Sequence, residues 1–214
     1  MSKELNYRKI KKNLQSVLDS ASDVEYATGC TWYALHKALI TRIAGRNSIT
    51  NDVAAGAFSA MSPGLTIEAN LTEFESMVQL YSMGFSVEDF KPHRVPYSFK
   101  STFGKAWGIL QGTLSLEGAF APDTKTQAFY YNLSGDLSRV TIDGHIMNAC
   151  VNGMTRVGIS SKNINITPNR YRQISKLITD MGEAESLRPA QVQAIIWIVY
   201  RDLSFKRRRG EEDE

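Results

Sequence analysis

The chain has 214 residues, of which 43% are apolar and 22% charged, enough for a packed core and too few charges for a disordered chain. It holds only two cysteines, Cys30 and Cys150, which excludes a four-cysteine zinc or iron–sulfur centre and fits a reduced, cytoplasmic setting. The net charge is +3; Glu211, Glu212, Asp213 and Glu214 contribute −4, which leaves a basic body at +7, compatible with a polyanionic partner.

The N-terminal "MSKELNYRKIKKNL" has no apolar core, so a signal peptide is not expected, and no run of about 18 apolar residues predicts a membrane span. Tyr7, Ile10, Leu14, Val17 and Leu18 recur at helical spacing and predict a first helix. Trp32, Leu35, Leu39 and Ile43 predict the inner face of a second, ending near Gly45. "TNDVAAGAFSAM" is a third, with Thr50 or Asn51 as its N-cap and Pro63 as its stop. From Leu65 to Gly84, Ile67, Leu71, Phe74, Val78 and Tyr81 mark a fourth. Residues 85–98, with Pro92 and Pro96, read as a loop, and Ser101 to Gly112 as a short helix.

Two helices follow, one opening at Lys125 and one after Asp143, with the strand-like "SRVTID" between them. After a loop, "NGMTRVGISSKNINI", Thr167-Pro168 starts a helix lined by Ile174, Leu177, Ile178 and Met181 and ended by Gly182. Pro189 starts the last, with Val192, Ile195, Ile196, Val199 and Leu203 inward. The expected fold is all-α, one two-lobed helical domain over residues 1–205 with a charged tail at 206–214 that does not fold.

The residues that carry chemistry lie between 119 and 151. Lys125-Thr126 opens one helix, Asn132 follows, and the apolar Val140-Thr141-Ile142 runs into Asp143-x-His145-Ile146. This block, with eighteen residues from lysine to aspartate, resembles the core of the helix-hairpin-helix (HhH-GPD) DNA glycosylases, the endonuclease III superfamily. It is also similar to a pattern in small phage-encoded proteins, which implies a phage source and the host cytoplasm. "FGKAW" at 103–107 and "FSAMSP" at 58–63 resemble flanking helices of the same fold. The hairpin departs from the family: Ala119, Phe120, Ala121, Pro122 and Asp123 stand where it has Leu-Pro-Gly-Val-Gly, so both hairpin glycines, which bring backbone N–H groups to a phosphate, are replaced.

The resemblance implies duplex DNA as partner and excision of a flipped-out base, with Lys125 and Asp143 catalytic. The carboxylate would stabilise an oxocarbenium-like transition state, and a neutral lysine amine could attack C1′ and support lyase chemistry. Phe129, Tyr130, Trp107 and His145 are candidates for contact with the base, and Trp32 and Tyr131 are further aromatic options. Lys105, Thr124 and Arg139 are candidates for phosphate contacts. No cofactor is implied, and His36, His93 and His145 show no metal-ligand spacing. Each residue also has a plainer role: Asp143 as helix N-cap, Lys125 as a solvated helix residue, His145 as a hydrogen-bonding partner, and Cys150 as a small core residue. Two other functions stay open on the same scaffold: a phage enzyme that hypermodifies DNA bases, and a non-catalytic DNA-binding or host-interaction protein.

Overall fold

The computed structural model describes residues 6–87, 100–154 and 166–209. The proline-containing loop with His93, most of the loop after Asn152, and the acidic end of the tail lie outside these residues. Ten helices run through the described residues, with no strand among them: α1 Tyr7–Asp19, α2 Asp23–Arg46, α3 Asn51–Met61, α4 Ile67–Ser82, α5 Lys100–Leu110, α6 Leu116–Ala119, α7 Lys125–Ser134, α8 Gly144–Asn152, α9 Pro168–Glu185 and α10 Pro189–Arg209. The fold is all-α. The chain forms two compact units, one of residues 1–33 and 137–214 and the other of residues 34–136.

In the first unit α10 packs on α1, α8 and α9, and α1 packs on α8. Ile10, Leu14, Val17 and Leu18 of α1 are buried, as their spacing predicts, and so are Val192, Ile195, Ile196 and Val199 of α10. The strand-like run before Asp143 forms no strand, yet Val140, Thr141 and Ile142 are all buried. A buried backbone without a ladder needs other partners. Tyr171 of α9 supplies them: its hydroxyl donates to Val140 O at 2.6 Å and accepts from the Ile142 N–H at 3.4 Å. The Tyr33 hydroxyl donates to Gln193 Oε1 at 2.6 Å and lies 2.9 Å from the Thr141 hydroxyl.

Helix α2 starts nine residues before Trp32. Ser22 and Glu25 form a reciprocal cap: the Ser22 hydroxyl accepts from the Glu25 N–H, and Glu25 Oε2 accepts from the Ser22 N–H at 2.8 Å. Its buried side chains are Tyr33, His36, Ile40, Ile43 and Ala44; Ile43 lies inward as its spacing predicts, while Leu35 is exposed and the earlier part of the face is turned by about one residue from the expected one. The true face carries a histidine and a tyrosine, which a search for apolar residues alone passes over.

In the second unit α3 is the central helix, in contact with α4, α5, α6 and α7. Ala54 to Met61 are eight consecutive buried residues, six of them alanine, glycine or serine, which let neighbours approach closely around Phe58 and Met61. Phe58 packs edge-on to Phe74 and also meets Phe129. Helix α6 was not anticipated.

At the other end of the chain, α9 continues three residues past Gly182, to Glu185. A Cβ on Gly182 would lie 2.8 Å from Leu187 O, so the glycine makes room for the returning chain rather than ending the helix. Helix α10 also runs on to Arg209, through residues assigned to the tail.

Gly29 of α2 faces α10, where a Cβ would lie 2.7 Å from both Ile195 N and Cα. Backbone cannot yield as a side-chain tip can, so Gly29→Ala is expected to lower stability by about 3 kcal/mol in urea unfolding, against a small gain for an alanine in open helix. Burial pushes the Cys150 thiol up to about 12 from an ordinary 9.0. The unfolded chain therefore loses this proton first, and stability falls as pH rises from 9.0 towards 12. Cys150→Ala should show a shallower decline over that window.

Candidate functional site

The site in the first unit is built around the N-terminus of α8. Asp143 is its N-cap in extended backbone, and Oδ1 accepts from the Ile146 N–H at 3.0 Å. The other oxygen, Oδ2, accepts from Trp197 Nε1 of α10 at 2.8 Å. The capping role expected from sequence is present, and Trp197 adds a second, long-range anchor. Both donors are neutral. Among the described residues no lysine or arginine pairs with Asp143, so its charge is oriented without being neutralised.

Trp197 organises what surrounds the carboxylate. Trp32 meets it edge-on with ring centroids 5.8 Å apart, and the His145 ring does so at 6.1 Å. The Arg201 guanidinium lies 4.7 Å from its ring centroid and donates through Nε to Asp202 at 2.8 Å. His145 Nδ1 is buried and has no hydrogen-bond partner among the described residues, so on that nitrogen the hydrogen-bonding role is unmet. The opposite end of α8 is tied down as well, by Asn13 Nδ2 donating to Cys150 O at 2.9 Å.

The second unit holds Lys125 at the first position of α7, half-buried. A cation there meets the positive end of the helix dipole, which costs stability rather than adding to it. The turn before it has a left-handed residue. Asp123 has a φ of 55°, a conformation glycine adopts more readily. Its N–H donates to Gln127 Oε1 at 3.2 Å, so that donor is satisfied from within the chain.

Thr124 caps α7: its hydroxyl accepts from the Gln127 N–H and gives its single proton to Ala121 O at 2.7 Å. That hydroxyl is thereby engaged within the chain. Lys105 is exposed and shares a cavity of about 190 Å³ with Ser101, Thr102, Phe120 and Thr126. Arg139, in the first unit, is also exposed.

Two expected base contacts are corrected. Trp107 is 1% exposed, stacked on Phe103 and edge-on to Tyr81, and Phe129 is 6% exposed against Phe58. Both belong to the core of the second unit, and neither offers a face to a base. Tyr130 is half-buried and stacks on Phe120 at 5.4 Å; burial raises its hydroxyl pKa above the ordinary tyrosine value. Trp197, Tyr171 and Tyr33 were missed as site-building residues. The available signal was chemical: aromatic residues with a polar tip seek a partner when they enter a core. No cluster of three or more metal-ligating side chains occurs among the described residues.

A family model matches residues 1–204 of the chain, and its description is "Family of unknown function (DUF7178)". The chain belongs to this family. Searches of the curated proteins and of the solved structures return no match to it. Members of the DUF7178 family thus bring no assigned activity to the site, and its chemistry rests on the residues themselves. Among the described residues no helix is long and apolar enough to cross a membrane.

Asp143 accepts from two donors with two oxygens, and this can be probed by unfolding. Asp143→Asn has one acceptor oxygen for both and should cost about 1 kcal/mol. Asp143→Ala removes both bonds and should cost about 2 kcal/mol. In Trp197→Phe the cap remains, so Asp143→Asn should cost measurably less in that background, as a urea double-mutant cycle would show.

Proposed function

We propose that this protein acts on DNA as a base-excision glycosylase, with Asp143 stabilising the positive charge that develops at C1′ as the base leaves. The observation that carries this reading is the carboxylate itself: held at a helix start by two neutral donors, half-exposed, and without a cationic partner among the described residues. A carboxylate kept only for stability would be served as well by a cap alone. The bond from Trp197 instead holds it in one orientation, as charge stabilisation requires. The resemblance of residues 119–151 to the helix-hairpin-helix glycosylases supports the same reading.

Lys125 is then the nucleophile of a coupled lyase step. In that step, as the resemblance implies it, the Lys125 amine attacks C1′ and its proton leaves with the departing base; the C1′–O4′ bond then opens to a Schiff base, which permits elimination of the 3′ phosphate. Lys105 and the hydroxyls around its cavity, together with Arg139, would contact phosphates. This activity belongs in the cytoplasm, that of a host cell if the gene is carried by a phage. A second reading is favoured by one observation. Both hairpin glycine positions are filled, by Ala121 and Asp123, and the Asp123 N–H is already bonded to Gln127, so the turn offers a poor phosphate grip. An enzyme that modifies a base without excising it, on the same scaffold, fits that loss.

Incubation with modified and unmodified duplex DNA, followed by mass spectrometry, separates the readings: a freed base marks a glycosylase, and an altered base still in the strand marks the alternative. Asp143→Asn should lower turnover by orders of magnitude while DNA binding persists, and full activity in this variant would refute the catalytic role. Borohydride should trap wild-type protein on substrate DNA, and Lys125→Ala should abolish the adduct. Binding should weaken steeply with salt, since side-chain charge replaces the hairpin grip.

A further inference from the structure

Helix α2 has a property that folding of one chain does not use. From Tyr26 to Leu35 no residue on any face is charged. The face of a helix turned to water usually carries charged or polar residues. Here one face is buried through Tyr33, His36, Ile40 and Ile43, while the opposite face is open: Val24 is 75% exposed and Leu35 56%. The open stripe consists of Val24, Thr28, Thr31, Leu35, Ala38 and Arg42, all exposed. Two large aliphatic side chains this exposed on one helix face, whose only charge is Arg42 at its end, are a cost in water and an asset at an interface.

The stripe has a second property, which indicates what covers it. Its spacings alternate four and three and read the same from either end. Laid against itself in the antiparallel sense about a two-fold axis, it pairs Val24 with Arg42, Thr28 with Ala38, and Thr31 with Leu35. Charge follows the same symmetry. The start of α2 is acidic, with Asp23 and Glu25, and its end is basic at Arg46. Asp23 and Arg42 are both exposed and make no ion pair among the described residues. In the antiparallel arrangement each Asp23 comes beside the Arg42 of the other chain, twice over, and the two helix dipoles also oppose. A parallel pairing would instead set acid beside acid and base beside base.

We infer that the exposed face of α2 is the docking surface for a second copy of this chain, in an antiparallel, two-fold symmetric helix pair. Small side chains at Thr28, Thr31 and Ala38 let the backbones approach, and Leu35 lies near the axis, where it becomes fully desolvated. The inference does not depend on the chemistry proposed for Asp143.

Sedimentation equilibrium over a dilution series tests it. The wild-type chain should move from 23.9 kDa towards twice that mass as concentration rises. Leu35→Glu, at an exposed position, should remain a folded monomer by circular dichroism, because it sets two like charges near the axis. Asp23→Arg alone and Arg42→Asp alone should each raise the dissociation constant about ten-fold, and the double variant should restore it. That rescue is peculiar to a self-pairing antiparallel helix. A wild-type chain that stays monomeric throughout, a dimer indifferent to Leu35→Glu, or a double variant no tighter than the single ones would each overturn the inference. Should Leu35→Glu unfold, the charge-reversal series decides alone.

Discussion

The structure of the first unit depends on how four residues without secondary structure, Val140 to Asp143, are kept in its interior. Buried backbone is tolerated only when its polar groups find partners. Three side chains from three helices meet that demand: Tyr171 binds the peptide groups on both sides of Thr141, Tyr33 approaches the Thr141 hydroxyl, and Trp197 holds the Asp143 carboxylate. The segment is thereby delivered in an extended form to the start of α8. Asp143 arrives there with one oxygen turned to the helix and the other to α10. Its orientation is a consequence of the packing of α9 and α10, not of local preference alone.

The same polar tips explain why this unit can carry a charged group at the margin of a dense core. Ile10, Leu14, Ile146, Ile174, Ile178 and Ile195 form an apolar body with almost no exposure. The tyrosine and tryptophan rings join that body while their O–H and N–H groups face the 140–143 segment. Trp197 shows the arrangement at its densest. One ring carries the Asp143 hydrogen bond, edge contacts from Trp32 and His145, and the Arg201 guanidinium over its face.

The second unit solves a different problem. Its central helix, α3, is buried from Ala54 to Met61 and contributes Phe58 and Met61 among small residues, so much of the core's bulk comes from its neighbours: Phe74 and Met77 from α4, Trp107 from α5, and Phe129 and Leu133 from α7. That division of volume is what removes Trp107 and Phe129 from any role in binding. At the end of α7, Lys37 donates to Ser134 O at 2.7 Å, and Gly135 takes the left-handed conformation that closes the helix. Helix α2 supplies that lysine, and its opposite face, from Val24 to Arg42, remains open.

Much was legible in the amino-acid sequence. The apolar spacing of α1, α4 and α10, the proline starts of α9 and α10, and the Asp143 cap follow from rules acting within one or two turns. An all-α fold follows from them, because each segment declares its own period. The Ser22–Glu25 cap was equally local, and its pattern could have moved the start of α2 back to Asp23. Other features depend on which surfaces meet, and no local period records that. The inward face of α2 includes Tyr33 because Gln193 of α10 and Thr141 offer its hydroxyl partners. Gly182 lies inside α9 because a carbonyl 2.8 Å away leaves no room for a Cβ. The sequence by itself determined the helices and the residue at the start of α8; tertiary packing decided that Trp107 and Phe129 are core and that Trp197 orients Asp143, because burial and long-range hydrogen bonds are properties of the packed molecule and not of its segments.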